Sequence, residues 1–178
     1  MHFEKKLSGE KKFSGILMDV YHDSVLLENG RTAVREVLRY PGAVGILAAA
    51  DDGRLLFVRQ YRYAVSRELL EICAGKLDST DEDPAEAARR ELREETGMTC
   101  RRLIPLCRYC GSPGALSEEI HLFFADGLEY VGDDPDEDEF VTPVLLSADE
   151  FEALLAEGKI TDGKTVTAYA VAKAKKLI

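Results

Sequence analysis

The sequence predicts an α+β fold: a main domain over residues 41–178 that mixes strands with helices, preceded by a small antiparallel β unit over residues 1–40. Three observations carry this. Asn29-Gly30 stands between two strand-like runs and is a strong short hairpin signal. Residues 43–50 are almost wholly apolar, and a second turn pair, Asp52-Gly53, separates them from another apolar run, which reads as a hairpin of mostly buried character. Residues 83–97 carry the start and stop signals of one short helix.

In chain order, residues 13–21 and 24–28 are strand-like, and residues 31–39 continue as a third strand after the Asn29-Gly30 turn. So small a sheet buries little by itself and must pack on the main domain or on a second subunit. Pro41-Gly42 marks the boundary. The main domain opens with strands at 43–50 and 55–60, and residues 67–73 read as another strand. The helix follows. Asp83 is a good N-cap, Pro84 suits the first helical position, and Glu86 stands where a capping box places its return carboxylate. Gly97 supplies the left-handed residue that ends it. Residues 101–108, 119–125 and 141–146 read as strands, and Gly111-Ser112-Pro113-Gly114 as a loop. Residues 133–139, six acidic positions and a proline, read as an exposed acidic loop. Ser147, with Glu150 completing a capping box, opens a helix over 148–157, and residues 165–176 form a closing helix.

At about 100° per residue, Glu91, Glu94 and Glu95 share one side of the 83–97 helix, with Ala87 one turn earlier. Ala85, Leu92 and Thr96 form a neighbouring stripe for a core, while Arg89 and Arg93 point elsewhere. Three carboxylates on one face repel by a few tenths of a kcal/mol per pair. A hard divalent cation with oxygen ligands would offset that repulsion, and magnesium keeps room for waters and substrate phosphates. A solvated acidic face is the alternative that the helix alone leaves open.

Composition narrows the function classes. The chain has 178 residues, 46% hydrophobic and 31% charged, with formal net charge −10 and pI near 4.9. That balance argues against binding a nucleic-acid backbone, which needs clustered lysine and arginine. The apolar runs are too short to span a bilayer, and the polar, basic N-terminus shows no secretory pattern. Four cysteines make no disulfide scaffold, and the lone Cys107/Cys110 pair lacks a second zinc-spaced partner, so a reduced cytoplasm is expected. His2, His22 and His121 are scattered, and no nucleophile triad, P-loop or dinucleotide glycine motif is present.

The core Arg90-Glu91-Leu92-x-Glu94-Glu95-x-Gly97-Met98, with Gly75 and Glu82 upstream, resembles the Nudix box. At usual residue frequencies of about 5–7%, this core arises by chance roughly once in 10⁵ chains of this length. One departure is that six residues separate Gly75 from Glu82 instead of five; a polar turn over 76–81 accommodates an insertion at little cost. Val58-Arg59-Gln60-Tyr61-Arg62, the run Leu70 to Asp78, Ser112-Pro113-Gly114 followed by Glu118, and Asp162-x-Lys164-Thr165 are similar to the ADP-sugar pyrophosphatase branch of the Nudix hydrolases. Cys73 departs from it, standing where that branch usually has proline.

The resemblance implies an α/β/α sandwich around a mixed sheet and Mg2+-dependent hydrolysis of a nucleoside diphosphate derivative, with Mn2+ able to substitute. ADP-ribose, cleaved to AMP and ribose 5-phosphate, is the first expectation. Another sugar nucleotide, a nucleoside triphosphate, or a non-catalytic nucleotide sensor are the alternatives, the last disfavoured because the box glutamates are kept. The implied metal ligands are Glu91, Glu95, Glu94 and the carbonyl of Ala74. Arg90 orients the box carboxylates, and Glu94 and Arg90 count with Glu118 as catalytic. Glu118 takes the position of the general base, with Glu119 facing solvent. Arg62 is the candidate phosphate clamp, because a guanidinium offers oxyanions a planar fork, with an ordinary salt bridge as its alternative. Arg67 and Glu71 are candidate substrate contacts, with strand-edge pairing as theirs. In that branch N-terminal sheets are exchanged or packed across a homodimer, so a homodimer is expected, its pocket completed by the partner's residues 1–40.

Overall fold

The computed structural model describes residues 2–132 and 140–178, so the acidic stretch 133–139 lies outside the described residues. The chain divides into two compact units, Met1–Gly42 with Cys110–Glu119, and Ala43–Tyr109 with Ile120–Ile178.

The first unit is an antiparallel sheet of β1 (Lys5–Ser14), β2 (Asp19–Leu26) and β3 (Thr32–Arg39), in that order. The Asn29-Gly30 turn forms as expected. Leu27 N donates to the Arg31 carbonyl at 2.8 Å, and Gly30 sits at φ 79°, a left-handed conformation that glycine adopts without strain. The expected first strand at 13–21 is corrected. Those residues contain the end of β1, a turn closed by Gly15 N to Met18 O at 3.0 Å, and the start of β2. All of β1 is exposed, so it has no apolar alternation by which a strand is recognised. Its lysines and its irregular register at Lys6/Ser8 and Lys11/Phe13 are features that protect a sheet edge from further pairing.

The segment Cys110–Glu119, expected in the main domain, belongs to this unit. Leu38 N donates to Ala115 O at 2.8 Å, Ser117 N to Leu38 O at 2.9 Å, and Tyr40 N to Ser117 Oγ at 3.2 Å.

The second unit is a mixed sheet between helices, as the family resemblance implies. Its order is β10 (Val141–Leu146), β5 (Leu55–Arg62), β4 (Ala43–Ala49), β9 (Ile120–Tyr130) and β8 (Met98–Tyr109), with β6 (Arg67–Glu71) paired to β5 and β7 (Cys73–Lys76) to β4. The β4–β9 pair is parallel and the others antiparallel. β4 is buried on both faces, which explains its unbroken apolar sequence. Val44, Ile46 and Ala48 pack with Ala87, Ala88 and Leu92 of α1 (Pro84–Thr96). Leu47, Phe57 and Phe124 face the opposite layer, α2 (Ala148–Ala156) and α3 (Gly163–Ala174). There Phe57 stacks on Phe151 at 4.7 Å between ring centroids, and Phe151 meets Tyr169 at 4.5 Å.

The single strand expected at 67–73 is two. The chain leaves β5 after Glu71 and joins β4 at Cys73. Between them the Ile72 N–H donates to Thr165 Oγ1 of α3 at 2.8 Å, a partner 93 positions away that no local pattern reveals. The capping box of α2 is present, with Ser147 and Glu150 bonded reciprocally.

Candidate functional site

Helix α1 begins where the sequence places it. Asp83 Oδ1 accepts from Ala85 N at 2.7 Å, and this short cap forms in place of the expected capping box through Glu86. Gly97, at φ 68°, ends the helix through its N–H to Arg93 O. The buried positions are Ala87, Ala88, Glu91, Leu92, Glu95 and Thr96. The carboxylate face is therefore turned inward: Glu91 and Glu95 are each only 8% exposed. Arg89, expected to point away, donates to the Cys100 carbonyl of β8 at 2.9 Å.

The two buried carboxylates meet the β7 strand at Ala74-Gly75. Ala74 N donates to Glu95 Oε2 at 3.0 Å. The Glu91 carboxylate occupies the space beside Gly75 that a side chain would fill: a Cβ there would stand 1.9 Å from Glu91 Cδ. The box glycine is thus a seat for a box glutamate, a requirement of close approach rather than of turn geometry.

Arg90 ties the acidic groups together. Its Nη1 donates to Glu91 Oε1 at 2.8 Å and Glu94 Oε2 at 3.0 Å, and its Nη2 to the Lys76 carbonyl at 3.1 Å and Glu82 Oε1 at 3.4 Å. Burial alone would lower its pKa, but the charges of Glu91, Glu94 and Asp78 hold it above the ordinary arginine value. Glu82 in turn accepts from Asp78 N at 2.6 Å, so the longer turn after Gly75 is closed by Glu82 itself, which keeps its reach to Arg90.

The residues expected to hold a metal are brought to one place, though no group of three or more histidine, cysteine or acidic side chains among the described residues is arranged to hold a metal ion. Glu91 and Glu94 are drawn to Arg90, and Glu95 to the Ala74 N–H. The donors are three carboxylates and the Ala74 carbonyl, all oxygens, the chemistry that suits a hard divalent cation. The seat that Gly75 leaves for Glu91 fits the same purpose.

A second polar cluster lies at the junction of β5, β6 and α3. Arg62 grips Glu71 with its fork, Nε to Oε1 at 2.9 Å and Nη2 to Oε2 at 2.8 Å. Lys164 bonds the same carboxylate and lies 3.1 Å from Asp162 Oδ1. Asp162 caps α3, accepting from Thr165 N at 3.0 Å. Burial pushes the Glu71 carboxyl upward, but the Arg62 hydrogen bonds and the Lys164 charge hold it below the usual carboxylate range. Glu95 also acts on Arg62 electrostatically, which links this cluster to the box. Arg67, opposite Arg62 in the β5–β6 ladder, is exposed and donates to Thr161 Oγ1 at 3.1 Å rather than to the Glu71 carboxylate.

Glu118 belongs to the first unit, in the segment carried by β3. The expectation that Glu119 faces solvent is corrected. Both glutamates are half-buried, and both precede β9, so strand alternation does not sort them. Lys164 and Thr165 belong to the run that carries the resemblance, and the sequence alone assigns them no role. Their partners, Glu71 and Ile72, are more than 90 positions away, beyond any local signal.

The NUDIX domain model matches residues 39–169. The chain is 38% identical to ADP-ribose pyrophosphatase of Bacillus subtilis (strain 168) over 94% of its own length and 90% of that protein's. It is 41% identical to the methanol dehydrogenase activator of Bacillus methanolicus, over 93% of this chain and 90% of that one. The crystal structure of ADP compounds hydrolase superposes with a TM-score of 0.84 at 24% identity, covering 96% of this chain and 92% of that chain, which establishes the common fold. With a matching domain model and relatives aligned over nearly the whole chain, the protein belongs to the Nudix hydrolase family.

Proposed function

We propose that this Nudix pyrophosphohydrolase cleaves the pyrophosphate of a sugar nucleotide, ADP-ribose first, giving AMP and ribose 5-phosphate. The observation that carries the reading is the pair of box carboxylates, Glu91 and Glu95, sunk against Ala74-Gly75, Glu91 held by Arg90 and Glu95 by the Ala74 N–H. The similarity to ADP-ribose pyrophosphatase across 94% of the chain supports the choice of substrate. Glu91, Glu95, Glu94 and the Ala74 carbonyl would hold Mg2+, with Mn2+ as a substitute. When bound, such an ion polarises phosphoryl oxygens and lowers the pKa of water.

The protein's own groups then have separate tasks. Arg90 fixes Glu91 and Glu94 and sets their orientation. Arg62 offers its fork to the substrate's phosphate oxygens. Glu118 takes the proton of the attacking water, since carboxylates committed to a cation are poor proton acceptors. The first unit, with its small and largely exposed sheet, is read as the contact of a homodimer that completes the substrate pocket. The acidic net charge suits a small phosphorylated substrate met through a cation rather than a nucleic acid. No described helix is long and apolar enough to cross a membrane, and a cytoplasmic enzyme is the reading we adopt.

The test is a substrate panel of ADP-ribose, other nucleoside diphosphate sugars, pyridine dinucleotides and nucleoside triphosphates, assayed with magnesium, with manganese and with chelator. The expected outcome is AMP and ribose 5-phosphate from ADP-ribose, lost in chelator. Undiminished hydrolysis in chelator would remove the metal, and preference for another substrate would move the specificity.

A further inference from the structure

Lys164 has no part in the reading above, yet its side chain is 11% exposed, against 38% for Arg62 and 30% for Arg90. A lysine is seldom so buried without paired carboxylates. Here it has two, Glu71 and Asp162, and Asp162 is itself fixed as the cap of α3. Glu71 is more deeply placed still, at 2% side-chain exposure, and so holds a buried charge with two cations on it from different elements.

The two cations are not equivalent. Arg62 stands at the exposed side of the cluster, at the end of β5, and Glu95 of the box acts on it. Lys164 stands at the inner side. To give its fork to a phosphate, Arg62 must release at least one of its bonds to Glu71. Were Arg62 the only partner, that release would leave a buried carboxylate uncompensated, one of the costliest events in a protein interior. A second cation that stays in place removes most of that penalty.

We propose that Lys164 is a positioning residue for substrate binding: it keeps the buried Glu71 carboxylate paired while Arg62 exchanges that carboxylate for the substrate's pyrophosphate. Glu71 is then a parking place for the Arg62 fork rather than a substrate contact. The inference rests on Arg62 being the phosphate clamp.

Three variants test it on the full chain, read by steady-state kinetics with ADP-ribose and by calorimetric titration with AMP. Lys164→Met leaves Glu71 to Arg62 alone and lowers the fraction of molecules with a free fork. Loss of one charge-assisted bond implies a rise in KM and in the AMP Kd of roughly ten- to hundredfold, with kcat changed much less. Glu71→Gln added to Lys164→Met removes the charge that holds Arg62, and KM should return toward wild type. A purely structural lysine would lower thermal stability in both variants without this reversal. Arg62→Ala separates the two levels. If it leaves KM unchanged, the clamp reading fails and the role of Lys164 with it. If Arg62→Ala raises KM but Lys164→Met does not, the clamp stands and the role of Lys164 is overturned. Should Lys164→Met fail to fold, the double variant decides: a KM near wild type supports the proposal, and a KM as high as that of Arg62→Ala overturns it.

Discussion

Gly75→Ala probes the seat between β7 and α1. The backbone of Gly75 is not in the left-handed region, so the substitution carries no strain of its own. Its effect comes from contact. The added Cβ would stand 1.9 Å from Glu91 Cδ and 2.0 and 2.1 Å from its two oxygens, whereas ordinary contact begins at 3.4 Å. The carboxylate must therefore retreat by about 1.5 Å (3.4 − 1.9), and a move of that size breaks its 2.8 Å bond from Arg90. A charge-assisted hydrogen bond is worth about 1.5–3 kcal/mol. Arg90 keeps Glu94, Glu82 and the Lys76 carbonyl, so the lower end applies. For a chain of this size that is a fall in Tm of roughly 3–6 °C.

Activity should suffer far more than stability, because displacement of a catalytic group by about 1 Å costs on the order of 10²-fold. Thermal unfolding followed by circular dichroism gives the first number and ADP-ribose hydrolysis over a magnesium titration gives the second. The cycle with Glu91→Ala assigns the cause. With the carboxylate gone the new methyl has nothing to strike, so Gly75→Ala should cost little in that background. An equal loss of Tm in both backgrounds would refute the seat, and full activity in Gly75→Ala would show that Glu91 needs no such placement.

Glu118→Gln should cut kcat by roughly 10²–10⁴ with KM little changed, and Glu119→Gln should stay near wild type; the reverse ranking by steady-state kinetics moves the base by one residue, and no loss from either dispenses with a base from this segment. Glu71 predicts an acid dependence. Its folded pKa lies below the ordinary 4.5, so the stability it contributes is present above that value and disappears as pH falls through the lowered one. Urea unfolding between about pH 3 and 7 should therefore show a steeper acid loss in the wild type than in Glu71→Gln, and parallel curves would count against the paired, ionised carboxylate.

What could be read from the sequence was local, and what could not was long-range. Asp83, Pro84 and Gly97 bound α1 because caps act within one turn, and Ser147 with Glu150 did the same for α2. The apolar run of β4 signalled a strand covered on both faces. β1 escaped notice because a strand exposed at every position has no periodicity to see. The break at Ile72 depends on Thr165, and the grip on Arg62 depends on Glu71 and Lys164, so neither could be inferred from neighbours in the chain. The box glutamates were legible as a face. That the face turns inward was not, since burying charge breaks the rule by which a polar stripe is assigned to solvent.

That broken rule is itself informative. A helix with Glu91, Glu94 and Glu95 on one side gains nothing locally from them, and its docking rests on Ala87, Ala88 and Leu92, which pack against β4. The same packing carries Glu91 and Glu95 out of water. Arg90 answers with one positive charge to four carboxylates, Asp78, Glu82, Glu91 and Glu94, and its buried Nε has no hydrogen-bond partner among the described residues. A site optimised for stability alone would replace these groups by apolar ones of similar shape, often at no cost. Keeping this crowded set of carboxylates at Ala74-Gly75 supports the cation site proposed above. Conflict between local preference and global placement falls where function is expected to sit. Around Glu71, by contrast, two cations meet two carboxylates, Glu71 and Asp162, and the charges balance within the cluster. On the reading proposed above, the first group would take up a cation, and the second would lend one to a phosphate.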